Sequence, residues 1–219
     1  MMIHKLVKEL EANRNLENAI PMEKYMKDHF TFLGIKTPER KKITNQFFKD
    51  TGIIKEAFDR DFILQLWAMD EREYQYIALD YIDKMLRKIN VEDLALFEEL
   101  IVTKSWWDTV DMLAQKPVGK IASIDSRVIS DTIDSWSVHD NLWLIRTAIL
   151  FQLKYKEKTN EDILYTYIIR NAESKEFFIQ KAIGWALREY SKINPTSVRY
   201  FIENTKLAKL SIREGSKYL

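Results

Sequence analysis

A chain of 219 residues that is 46% hydrophobic is long enough to bury one sizeable core, and a single domain spanning 1–219 is the expected organisation. With only 5 Gly and 4 Pro it lacks the breakers that an all-β or α/β fold needs, and with no Cys it excludes disulfides and thiolate chemistry. The net charge of +1 hides an asymmetry: residues 141–219 carry 14 Lys+Arg against 8 Asp+Glu (+6), which leaves 20 against 25 (−5) for residues 1–140. A basic C-terminal part suits a polyanion, although a solvated mixed-charge surface gives the same count.

The chain opens on MMIHKLVKELEANRN, which alternates charge with apolar residues and builds no signal-peptide core, and no later run approaches membrane-spanning length. A soluble, unexported protein of the reducing cytoplasm is expected. Hydrophobic periodicity predicts helices over 2–13, 17–28, 38–49, 54–67, 71–88, 91–102, 106–115, 125–135, 139–155, 160–171, 175–191, 195–204 and 211–217. Thr37 before Pro38 reads as an N-cap with proline at the first helical position, and Ser174 before KEFF reads as another cap.

Three blocks look alike. IALDYIDKMLRKIN (77–90), TAILFQLKYKEKTN (147–160) and KAIGWALREYSKIN (181–194) repeat Ala78/Ala148/Ala182, the aromatics Tyr81/Phe151/Trp185, the bases Lys84/Lys154/Arg188 and Asn90/Asn160/Asn194, at spacings of 70 and 34 residues. A repeat of roughly 35 residues with a more diverged copy between fits helical hairpins stacked as a HEAT-like, all-α solenoid with a concave face.

The stretch TKSWWDTVDMLA (103–114) sets two tryptophans side by side and two aspartates three residues apart. At about 100° per residue, Trp106, Val110 and Leu113 share a core stripe. Ser105 with Asp108 forms an S-x-x-D helix start, which makes Asp108 a cap. Trp107 and Asp111, four residues apart, remain adjacent on another face with neither core nor capping duty; chance exposure, or a hydrogen bond from Asp111 to a neighbouring repeat, also accounts for them.

The helix after Ser174 repeats the pattern. Ile179, Ile183, Ala186, Leu187 and Tyr190 form its apolar stripe, while Trp185 lies nearly opposite, beside Phe178, Lys181 and Arg188. Such a face suits base stacking and phosphate contact, unless the next hairpin covers it. Arg146 interrupts the apolar series Leu142, Ile149 and Leu153, so it either pairs internally, with an Asp for example, or faces a cleft. It follows Asp111 by 35 residues, the repeat length, which puts the two at equivalent positions of successive repeats.

SWWDTVD, KTPER, the helix around Arg146 and SKEFFIQKAIGWALREY resemble the HEAT-repeat alkylpurine DNA glycosylases, the AlkD-like bacterial DNA alkylation repair enzymes, over essentially the whole chain. The resemblance implies Asp111 as the key catalytic residue, Trp107 and Trp185 as contacts of the lesion nucleotide, Arg146 as support for the DNA backbone and Tyr25 as a further residue at the DNA. It also implies that the lesion stays in the duplex and is not flipped into a pocket.

The chemistry fits those residue types. N3- and N7-alkylated purines are cationic and already good leaving groups, so the glycosidic bond breaks toward an oxocarbenium-like sugar. A carboxylate beside that sugar stabilises it and orients a water; at an effective dielectric near 20, opposite charges about 4 Å apart attract by roughly 4 kcal/mol. Tryptophan faces attract the cationic nucleotide by about 0.5 to 2 kcal/mol each. There is no G-x-S-x-G, P-loop or H-E-x-x-H, and His4, His29 and His139 show no ligand spacing, so a monomer needing neither metal nor cofactor is expected to act on duplex DNA, away from membranes. The competing reading is a non-catalytic HEAT-like module that binds damaged or branched DNA or a protein along the same face.

Overall fold

The computed structural model describes residues 2–219, and no strand occurs among them. The chain has an all-α helical-repeat fold and falls into two compact units, one ending at Ile89 and the other running from Asn90 to Leu219.

The first unit contains α1 (Met2–Ala12), α2 (Leu16–Tyr25), α3 (Thr37–Thr51), α4 (Arg60–Ala68) and α5 (Arg72–Met85). Leu6, Leu10, Phe47, Phe48, Phe62, Ile77 and Tyr81 build its core. The loop entering α3 is pinned by Glu73 of α5, a buried carboxylate that accepts the backbone N–H groups of Leu33, Gly34 and Ile35 at 3.0, 2.9 and 3.0 Å. Three donors offset the cost of taking that charge out of water. Gly34 is obligatory there: its φ is +83°, and a Cβ would meet the Asn15 carbonyl oxygen at 1.9 Å.

The second unit contains α6 (Leu94–Val102), α7 (Trp107–Leu113), α8 (Gly119–Ile124), α9 (Asp134–Trp136), α10 (Leu142–Leu150), α11 (Glu161–Arg170), α12 (Phe177–Ser191), α13 (Pro195–Asn204) and α14 (Lys209–Gly215). The repeat read from sequence has a physical counterpart in both units. Ala78, Ala148 and Ala182 are all buried, where only a small side chain fits between helices. Asn90, Asn160 and Asn194 all cap the next helical segment, accepting the backbone N–H of Glu92, Ile163 and Ser197. Side-chain bonds recur at one repeat length: Asn171 to the Ser137 carbonyl, Arg170 to Asp134, Tyr155 to the Gly119 carbonyl and Asn194 to Glu161 span 34, 36, 36 and 33 residues.

Several boundaries differ from expectation. Helix α3 starts one residue early, with Lys36 as N-cap, so Thr37 is inside the helix and Pro38 sits in its first turn without a side-chain cap. Ser174 does not cap α12; its hydroxyl accepts the Glu176 N–H, and Glu176 is the N-cap. The segment 54–67 is broken because Asp59 accepts the Phe62 N–H and starts α4 afresh after a short 3₁₀ turn, Ile53–Lys55. Pro117 and Gly119 do not end the helix near 115: a π turn, Ala114–Val118, joins α7 to α8. Proline lacks an N–H and its ring crowds the carbonyl four residues back, and the wider turn relieves both problems.

Helix α14 lies directly on α12. A Cβ on Gly184 would come within 2.5 Å of the Glu214 Cβ, and Ser211 donates to the Gln180 carbonyl at 2.9 Å. Neither Cβ is the end of a flexible chain, so Gly184→Ala should force the helices apart and cost about 1–3 kcal/mol in urea denaturation. Asn160→Ala, which removes one cap, should cost about 1 kcal/mol.

Candidate active site

The residue that decides the geometry is Arg146. It sits on α10, within a run of apolar side chains, and is only 4% exposed. A guanidinium at such depth must find acceptors for its donors. Its Nε and one terminal nitrogen donate to the two carboxylate oxygens of Asp111 at 2.6 and 2.9 Å, and the other terminal nitrogen donates to the Phe178 carbonyl. One side chain thus ties α7, α10 and the start of α12 together. The spacing of 35 residues between Arg146 and Asp111 is realised as a fork-to-fork ion pair.

Asp111 is one helical turn from Trp107, the first residue of α7. Its side chain is 13% exposed. The adjacent tryptophans diverge for a reason the helical wheel missed. Trp106 is not in the helix: it is the N-cap, with extended backbone (φ −159°, ψ 164°), and the turn into helix occurs between the two rings. Trp106 packs edge-on to Phe178 (4.9 Å) and beside Trp143 (5.7 Å). Ser105 does not begin α7 either. Its hydroxyl donates back to the Ile101 carbonyl, at the end of α6. Asp108 lies in the first turn of α7, where its charge complements the helix dipole, but it is not partnered with Ser105 as an S-x-x-D start.

The sequence profile of a family described as DNA alkylation repair enzyme matches residues 6–219. The chain belongs to that family. It is similar to a solved structure described as a predicted DNA alkylation repair enzyme from Enterococcus faecalis, at 36% identity and a TM-score of 0.86, covering 94% of this chain and 96% of that one. The protein smu.31 from Streptococcus mutans UA159 shares the fold at 19% identity and a TM-score of 0.59, over 82% of this chain and 99% of the other. No curated protein matches.

Other candidate residues of this DNA alkylation repair family member fall into three settings. Trp185 is half-buried on α12, next to the tightly packed Gly184. Phe178 packs against Trp106 and Trp143 and gives its carbonyl to Arg146, so the more exposed ring of that turn is its neighbour Phe177, at 58%. Lys181 and Arg188 converge on Glu214, at 3.2 and 3.6 Å, so α14 does cover part of their face. Glu214 escaped the sequence reading, although a lone acid between Arg213 and Lys217 was a visible signal. Tyr25, at the end of α2 in the first unit, is 68% exposed. No group of three or more His, Cys, Asp or Glu able to hold a metal occurs among the described residues, and no helix among them is long and apolar enough to cross a membrane.

Burial pushes the Asp111 carboxyl above its ordinary range, the nearby Asp108 carboxylate adds to the rise, and the hydrogen bonds and charge of Arg146 oppose it. Removing either half of a pair this deep strands the other. Asp111→Ala should therefore lower unfolding free energy by about 3 kcal/mol or more, and Asp111→Asn, which keeps an acceptor for Arg146, by less. Urea titration of the two variants checks the order.

Proposed function

We propose that this DNA alkylation repair family member is a glycosylase that hydrolyses the N-glycosidic bond of cationic N3- and N7-alkylated purines in duplex DNA. The observation that carries the reading is the Asp111 carboxylate fixed in the fork of Arg146, on a side chain 13% exposed and one turn from Trp107. An ionised carboxylate has about four lone-pair sites, and the Arg146 fork occupies two. The remainder can face a sugar that becomes positive and hold the water that attacks it. Because the group is already oriented and largely dry, it needs little reorganisation as charge develops. Trp107 and Trp185 supply aromatic faces for the cationic nucleotide, and Tyr25 is a further residue for the DNA.

In this reading Arg146 is a positioning residue. Each of its three guanidinium nitrogens donates inside the protein and its side chain is only 5% exposed, so its support of the DNA is indirect, through Asp111 and the start of α12. The whole chain, 1–219, acts as one repair domain, as a monomer in the cytoplasm, without metal or cofactor.

Base release from duplex oligonucleotides carrying N3-methyladenine or N7-methylguanine tests the proposal. Wild-type protein should release both and leave hypoxanthine or ethenoadenine in place; no release of any cationic base would leave a non-catalytic DNA-binding module. Asp111→Asn should reduce release on the order of 100-fold or more with duplex binding nearly unchanged.

The acid side of the profile gives a separate check. Protonation removes the charge that stabilises the sugar cation, and the raised Asp111 pKa moves that loss upward. Single-turnover release should therefore fall, as pH is lowered, through an apparent pKa above the ordinary aspartate value of 3.8.

A further inference from the structure

Four cations surround one nearly buried carboxylate where α14 crosses α12. Glu214 accepts Lys217 at 2.6 Å and Lys181 at 3.2 Å, with Arg188 at 3.6 Å and Arg213 at 3.7 Å. The Glu214 side chain is 8% exposed, whereas those of Lys181, Arg188, Arg213 and Lys217 are 38%, 26%, 73% and 47% exposed. Around Glu214 the negative charge is thus inside and the positive charges outside, four against one, while the neighbouring Glu189 is paired with Lys192. An ordinary surface salt bridge pairs one charge with one, and the outward field cancels. Here it does not cancel.

The fold goes to some lengths to put the carboxylate there. Only a glycine at 184 lets the Glu214 Cβ approach α12, and Lys181 and Arg188 stand three residues before and four after that glycine, so they bracket the contact. The Ser211 bond to the Gln180 carbonyl fixes the start of α14. Trp185 stands four residues after Lys181 and three before Arg188 on the same helix, so the patch adjoins the aromatic face assigned to the lesion nucleotide. Hydrogen bonding from Lys217 holds the Glu214 carboxyl down to about 2, so it stays ionised across any working pH.

We propose that Arg213 and Lys217 join Lys181 and Arg188 in one phosphate-binding patch for duplex DNA, with Glu214 as the positioning residue that gathers the four cations from two helices. The inference rests on the DNA-binding part of the reading above and is independent of base release. Without a central carboxylate, four like charges in so small a space would spread apart; with it, the excess is held ready for backbone phosphates, whose neutralisation releases counterions.

Equilibrium binding of an unmodified duplex oligonucleotide, followed by fluorescence anisotropy across a salt series, tests it. Arg213→Ala with Lys217→Ala should make the slope of log K against log salt shallower by about 1 to 2. Both side chains are well exposed, so the variant should fold. Lys120→Ala with Lys206→Ala removes the same charge from exposed positions outside the patch and should leave the slope near wild type. An unchanged slope in the first pair, or an equal change in both pairs, overturns the patch.

Glu214→Gln separates positioning from simple charge. Loss of a negative charge by itself would tighten binding; loss of the residue that gathers the patch should weaken it several-fold. Tighter binding by Glu214→Gln overturns the positioning role, and tighter binding of wild type to anionic phospholipid vesicles than to duplex DNA at equal salt overturns the choice of partner. The slope stands or falls on DNA without a lesion, so a protein that releases no base but shows the slope change retains the patch, and one that releases base with an unchanged slope loses only the patch.

Discussion

A guanidinium in an apolar helix face has very few stable environments. Arg146 must have acceptors in the planes its fork defines, and the second unit provides them from two other helices, the Asp111 carboxylate on α7 and the Phe178 carbonyl at the start of α12. Satisfying one buried cation therefore sets the position of the carboxylate, and of the helix that carries Trp185, before any ligand arrives. Replacing such a pair by well-packed apolar residues is often neutral or stabilising. The depth of the pair is thus better explained by what it orients than by what it adds to the free energy of folding.

The helical repeat is what makes this possible. Helices stacked at a regular interval bring position n beside position n + 35 or so, and the same interval separates Asp111 from Arg146, Ser137 from Asn171 and Glu161 from Asn194. Repetition supplies proximity, and individual substitutions at the equivalent positions supply chemistry. Asn90, Asn160 and Asn194 each end one segment and begin the next with a defined cap.

Much of this was legible from the chain. Breaker-poor composition and period identified the helices, and the aligned Ala and Asn positions identified the repeat. Asp111 and Arg146 stood out because each broke its helix's pattern, and their spacing matched the repeat. What escaped depends on information that is not periodic. Trp106 is the extended N-cap of α7, where a helical wheel assumes helix throughout. Thr37, Ser105 and Ser174 had the chemistry of caps, but a cap is decided by backbone angles at one residue. Lys181 and Arg188 looked like an open basic face because their partner, Glu214, is about 30 residues away on a different helix.

The π turn after Asp111 constrains the protein in a further way. Over 109–122 the buried positions are Thr109, Val110, Leu113, Ala114, Pro117, Val118, Gly119, Ile121 and Ala122, with pairs recurring every four residues, a wider interval than the 3.6 of an α-helix. The turn works as a phase shifter: it takes up an extra residue so that both ends of one continuous helix address the same core. Deleting a single residue between 114 and 118 would restore ordinary α pitch and rotate α8 against α7 by about 100°. The core would then hold α8, and Asp111 would swing away from Arg146, or the reverse. The length of this segment is therefore a geometric constraint of its own, separate from the identity of its residues, for as long as the Asp111 pair is kept.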